Sequence, residues 1–165
     1  MTQKIEKIAV VGAGSIGGWL GARLSRCAGV RVSVLARGAT LAALQTQGLS
    51  LHSQDETIQT PVRASQDAHE LGEQDMVVLA VKSPAVSEVA TQIQPLLGPK
   101  TMLLSAMNGV PWWFLDGFGG ALAGQALRSV DPQGRIAAAL PCAHIIGAVV
   151  HASCSTRSPA VVQHH

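Results

Sequence analysis

Charged side chains are scarce in this 165-residue chain: Asp, Glu, Lys and Arg make up 13% of it, and the formal net charge is only +2. Aromatic residues are rarer, at 3%, and no cluster of Lys and Arg is interleaved with them. Nucleic acid is therefore not expected as a partner. The three cysteines, Cys27, Cys142 and Cys154, are odd in number and widely spaced, with neither a CxxC pair nor a histidine at ligand spacing. That pattern disfavours a disulfide framework and a metal site, and it suits free thiols in a reducing cytoplasm. Long apolar runs are missing as well. The tract from 136 to 152 is broken by Pro141 and His144, so it fails as a membrane span. Lys4 and Lys7 precede an apolar run, as in a signal peptide, but Gly12, Gly14, Gly17 and Gly18 interrupt it and argue against export. No internal repeat or low-complexity tract stands out.

Apolar residues, by contrast, make up 47% of the chain. The length suits one domain spanning 1–165, and the composition suits an α/β class with parallel strands covered on both faces. The most informative stretch is Ile8-Ala9-Val10-Val11-Gly12-Ala13-Gly14-Ser15-Ile16-Gly17-Gly18. An apolar strand runs into G-x-G-x-x-G, and a helical pattern through Ile16, Leu20, Leu24 and Cys27 follows at once. This is the layout of a dinucleotide-binding turn. Gly12 permits the bend, Gly14 removes a Cβ that would hold a diphosphate away, and Gly17 lets the helix approach the sheet. The N–H groups around Ser15 and Ile16 then sit at a helix N-terminus, whose partial positive charge suits an anion.

Along the chain, the first helix is expected over about 15–28 and a second strand over 30–36. A short helix over Leu41 and Leu44 should stop at Gly48. A peripheral hairpin is expected around Gln54-Asp55-Glu56, and a brief helix over 67–71. The run 75–81 reads as a central buried strand, and Ser83-Pro84 as the cap and first residue of a helix carrying Val86, Val89, Ala90 and Ile93. Gly98-Pro99 should end that crossover, with the next strand over 101–106. After a glycine-rich connection from Gly117 to Gly124, a helix is expected to start at Asp131-Pro132, followed by a last strand over 145–151, with 160–162 pairing afterwards.

Open parallel sheets bind ligands outside the carboxyl ends of their strands. Gly12, Arg37, Lys82 and Asn108 each follow a predicted strand and converge on that one edge. Arg37 stands twenty residues beyond Gly17, where an NAD enzyme usually places an acid on the ribose 2'-hydroxyl. A guanidinium there can instead grip a 2'-phosphate through two hydrogen bonds, so NADP(H) is preferred over NAD. An ordinary exposed arginine is the blander reading. Lys82 is either a cation beside cofactor or anionic substrate, or a solvated lysine at a strand exit. Asn108-Gly109 is either an anchor for a ribose or substrate oxygen, or a favoured turn pair. Trp112 and Trp113 read as hydrophobic cover or interface. His52, His69, His144 and His151 read as structural, and no metal is expected. Ser153 and Ser155 have no placed His or Asp partner, which leaves a hydrolase triad without support.

The ordered set V-G-A-G-S-I-G-G, L-A-R-G, L-A-V-K-S, M-N-G-V-P-W-W and I-I-G-A-V-V resembles the N-terminal half of the ketopantoate reductase (2-dehydropantoate 2-reductase) family over nearly the whole chain. The resemblance implies a Rossmann-type, doubly wound, mostly parallel sheet and NADPH-dependent reduction of 2-dehydropantoate to pantoate. Under it, Gly12, Gly14, Ser15, Ile16 and Gly17 hold the pyrophosphate and Arg37 the 2'-phosphate. Lys82 lies in the active-site cleft, and Asn108 near nicotinamide and substrate. The family's helical C-terminal domain, with its general-acid lysine and substrate-binding glutamate, has no counterpart in these 165 residues. The chain is therefore read as a cofactor-binding half that turns over poorly alone. A reductase of another 2-oxo acid and a non-catalytic NADP-binding module remain as alternatives. Apolar surface left exposed where a second domain docks allows a homo-oligomer.

Overall fold

The computed structural model describes residues 4–116 and 119–165. Ten strands, β1 (Lys7–Val11), β2 (Arg31–Leu35), β3 (Leu49–His52), β4 (Thr57–Thr60), β5 (Arg63–Ser65), β6 (Gln74–Leu79), β7 (Leu97–Ala106), β8 (Ile145–Ala148), β9 (Cys154–Ser158) and β10 (Val161–His164), alternate with five α-helices. The helices are α1 (Ser15–Leu24), α2 (Gly38–Gln47), α3 (Ala68–Leu71), α4 (Val86–Gln92) and α5 (Arg135–Ala139).

Six strands form one sheet in the order β5-β2-β1-β6-β7-β8, and every neighbouring pair is parallel. The chain moves outward from β1 to β2 and β5, then returns to β6 on the other side of β1. The order reverses there, which places the switch point between the carboxyl ends of β1 and β6. Alternation along the strands decides which helices cover which face. Ala9, Val11, Val77, Leu79 and Leu103 cluster with apolar residues of α3, α4 and α5, whereas Ile8, Val10, Val78 and Ala106 cluster with Leu20 and Leu24 of α1. A strand buried on both sides must be apolar throughout, as Ile8–Val11 and Val77–Leu79 are.

The remaining strands form a smaller sheet, β4-β3-β10-β9, that lies over the outer side of α1. Small residues make that sandwich possible. A Cβ on Gly18 would come within 2.6 Å of Val162 Cγ2, and one on Gly21 within 3.1 Å of Leu49 Cδ2.

Several expectations are corrected in detail. Helix α1 ends at Leu24 rather than near 28, with Ser25 as its C-cap. Ser83 is not the N-cap: Ser83–Ala85 form a 3-10 turn capped by Lys82, and α4 proper begins at Val86. Gly98 and Pro99 fall inside the span of β7, where the pairing with β6 jumps from Leu97 to Met102. Helix α5 begins at Arg135, and Asp131 caps it from outside by accepting the N–H of Ala137 at 2.9 Å. Strand β8 stops at Ala148 rather than near 151, and the strand expected over 160–162 runs over 161–164, with β3 and β9 as its partners. Strands β5 and β9 were not expected. Gly117, the start of the glycine-rich connection, lies outside the described residues.

Candidate functional site

The site begins where β1 ends. Gly12 has φ +88°, a region costly for any residue with a Cβ, and a Cβ there would also lie 2.7 Å from Val81 Cγ1. Gly17 is buried against this bend: its missing Cβ would fall 1.9 Å from the Gly12 carbonyl oxygen and 3.0 Å from Ala80 Cβ. Gly14, between them, is exposed, and a Cβ on it would meet nothing within 4 Å. Two glycines are thus required by the fold, and the third leaves open space in front of a helix start. Helix α1 has no side-chain cap and no acid in its first turn. Its leading N–H groups, at Ser15, Ile16 and Gly17, lack intrahelical partners and carry the positive end of the helix dipole.

A cleft of about 450 Å³ opens along this edge, floored by Val11, Gly12 and Gly14 and walled by Arg37 on one side and Val81 and Val89 on the other. The ends of β1, β2 and β6 therefore meet in one hollow at the switch point. Arg37, directly after β2, is exposed and points its guanidinium at α4, where Nη1 donates to Glu88 Oε1 at 2.6 Å. Lys82 follows β6, is exposed, and makes no ion pair among the described residues. Its carbonyl accepts the N–H of Ala85 and shapes the turn into α4.

Asn108 lies beyond β7 in a separate hollow of about 370 Å³ with Met107, Val110, Trp113 and Val149. Both ends of its amide are engaged by one backbone unit: Nδ2 donates to Val150 O at 3.1 Å, and Val150 N donates to Oδ1 at 2.9 Å. The pair ties the exits of β7 and β8 together, and each amide group retains capacity for one further bond. Trp112 is buried in the main core, while Trp113 lies across Gly147, whose added Cβ would come within 2.5 Å of Trp113 Cη2. The structure thus gathers Gly12, Gly14 and Arg37 around one cleft; Lys82 is not among its lining residues, although the preceding Val81 is, and Asn108 lies in the separate hollow beyond β7.

The cleft also includes Thr40, Gln66, Gln92 and Thr156. Thr40 and Gln92 sit on helices adjoining recognised strands. Gln66 and Thr156 belong to β5 and β9 or their flanks, which carry no apolar period to find them by. Ser155 is corrected: its hydroxyl does have a histidine, with Oγ 2.8 Å from His165 Nε2. No carboxylate bonds to His165 among the described residues, and both partners are exposed, so no triad follows. His144 Nδ1 bonds Thr101 O at 2.8 Å.

Titration is perturbed away from the cleft. Burial, then the Asp116 carboxylate, pushes the Cys142 thiol up, and burial pushes Cys154 up, so neither is a thiolate nucleophile near neutral pH. Asp75 is held below the ordinary carboxylate range by the N–H groups of Glu6 and Lys7, at 2.9 and 2.8 Å, on the opposite edge of the sheet. No helix among the described residues is long and apolar enough to cross a membrane.

The reversed strand order and the glycine bend define a Rossmann-like α/β domain, and its counterparts are specific. The model of the ketopantoate reductase PanE/ApbA family matches residues 8–113. A 2-dehydropantoate 2-reductase of Mesorhizobium japonicum is 43% identical over 96% of this chain and 48% of its own length. The crystal structure of a candidate ketopantoate reductase from Ralstonia solanacearum MolK2 matches with TM-score 0.93 and 55% identity, over 98% of this chain and 50% of that one. That of a PanE/ApbA family ketopantoate reductase from Ralstonia eutropha JMP134 matches with TM-score 0.72 and 28% identity, over 96% and 46%. The chain belongs to the ketopantoate reductase PanE/ApbA family, a family of pyridine-nucleotide-dependent oxidoreductases. It spans about half the length of the relatives it matches.

Proposed function

We propose that these 165 residues bind NADP(H) as one domain, and that they form the cofactor half of an enzyme reducing 2-dehydropantoate to pantoate. The observation that carries this reading is the contrast among three glycines: Gly12 and Gly17 leave no room for a Cβ, whereas Gly14 faces open cleft at an acid-free helix start. Packing explains the first two, whereas Gly14, the N-cap of α1, touches nothing on its open side and leaves there the room an approaching diphosphate needs. The residues fit a dinucleotide on this count.

The backbone of Gly12, Gly14, Ser15, Ile16 and Gly17 takes the diphosphate, and Arg37 takes the 2'-phosphate by charge-assisted hydrogen bonding. When bound, the nicotinamide supplies a hydride for the 2-oxo carbon. Lys82 offers a positive charge to a substrate carboxylate or to the developing alkoxide, and Asn108 a hydrogen bond to a ribose or substrate oxygen. The alkoxide needs a proton from a positioned acid. We assign that donor to the half of the relatives' length that these residues do not match, so the 165-residue chain binds cofactor and turns over poorly. The three free thiols fit a cytoplasmic setting.

Calorimetric titration of the chain with NADPH and NADH tests the reading. Saturable binding of both, tighter for NADPH, is expected. No heat with either would remove the nucleotide site.

A further inference from the structure

The ion pair between Arg37 and Glu88 links two elements that contribute lining residues to the cleft. Arg37 stands at the end of β2 and Glu88 on α4, so the pair joins the wall that includes Thr40 to the wall formed by Val89 and Gln92. Its two side chains are 76% and 51% exposed, which makes it a solvent-screened pair able to open. Charge, more than strength, gives it a consequence. A guanidinium alone offers +1 to an arriving phosphate, whereas a guanidinium 2.6 Å from a carboxylate offers almost no net field. A 2'-phosphate, carrying about −1.5 to −2 at neutral pH, must displace Glu88 from Arg37 and then tolerate it nearby. A ribose 2'-hydroxyl meets neither penalty.

We infer that Glu88 is a specificity-determining residue whose carboxylate competes with the 2'-phosphate for Arg37, and so lowers the preference for the phosphorylated dinucleotide. This rests on the cofactor assignment above, and it adds that selectivity is set by the pair instead of by Arg37 alone. Glu88 faces the solvent side of α4, so replacing it leaves the apolar seat of that helix, Val86 and Ala90, in place.

The test is Glu88→Gln in the 165-residue chain, titrated by calorimetry with NADPH and NADH in low salt and again in 0.5 M salt, with Glu88→Ala as a second variant lacking any hydrogen-bonding group. At low salt NADPH should bind about three- to ten-fold more tightly to both variants than to the parent chain, within the range of a surface pair plus one like-charge contact. NADH affinity should change less than two-fold. High salt should shrink the gain, because exposed charges are screened over a few ångströms there. Unchanged or weakened NADPH binding in both variants would overturn the inference while leaving the nucleotide site intact. Failure of the parent and both variants to bind either dinucleotide would overturn the cofactor assignment and this inference with it.

Discussion

Replacing Gly14 and Gly17 separately by alanine divides what the fold needs from what a ligand needs. At Gly17 the new methyl would sit 1.9 Å from the Gly12 carbonyl oxygen, where ordinary C···O contact is about 3.3 Å. Helix and bend must therefore separate by more than an ångström, at an overpacking cost of about 1–3 kcal/mol, against up to about 1 kcal/mol regained from helix propensity. At Gly14 the methyl meets no atom within 4 Å, and the backbone, at φ −72° and ψ −162°, is one that alanine adopts. A lower unfolded-state entropy and a poorer N-cap oppose each other there, so stability should stay within about 1 kcal/mol of the parent. The Gly14 methyl nonetheless enters the cleft, where it should weaken NADPH at least ten-fold, or about 1.4 kcal/mol. Urea denaturation with tryptophan fluorescence gives the first quantity and calorimetry the second. A stable Gly14→Ala that binds NADPH as tightly as the parent would refute the argument that this glycine exists for close approach of a diphosphate.

Arg37→Asp should weaken NADPH more than NADH by roughly 1–3 kcal/mol, towards the lower end because the side chain is exposed; equal losses in titration would take Arg37 off the 2'-phosphate. Asp75 has its folded pKa lowered by two backbone N–H bonds, so its contribution to stability is full above the unfolded carboxylate range and disappears as pH falls through the lower folded value. Asp75→Asn should therefore lose less stability between pH 7 and pH 3 than the parent, as read from urea midpoints, and an identical acid limb would contradict this. Asp131→Ala removes the acceptor for Ala137 N and should cost about 1 kcal/mol in the same assay, within the range for lost helix caps.

The main sheet was legible because its inner strands carry their own signal. Ile8–Val11 and Val77–Leu79 are apolar on both faces, and each is followed by a glycine turn or a proline-led helix. The hairpin of β3 and β4 was likewise marked by alternation, with Leu49, Leu51 and Ile58 buried. Strand β5 escaped because three residues, Arg63–Ser65, hold no period, and their strand character comes only from pairing with β2. Strand β9 is polar and mostly exposed, and the smaller sheet depends on β10 pairing with β3 more than a hundred residues earlier, which no local pattern encodes. For the cleft, strand exits could be placed one by one, so Gly12 and Arg37 were expected where they line it, whereas Lys82, expected from the same argument, is not among the lining residues. Glu88 could not be expected, since its meeting with Arg37 needs the angle at which α4 crosses the sheet edge.

A crystal of the chain grown with NADPH tests the central claim most directly. The account predicts the diphosphate against the N–H groups of Ser15, Ile16 and Gly17 with the 2'-phosphate beside Arg37; a nucleotide lying elsewhere on the molecule would contradict it.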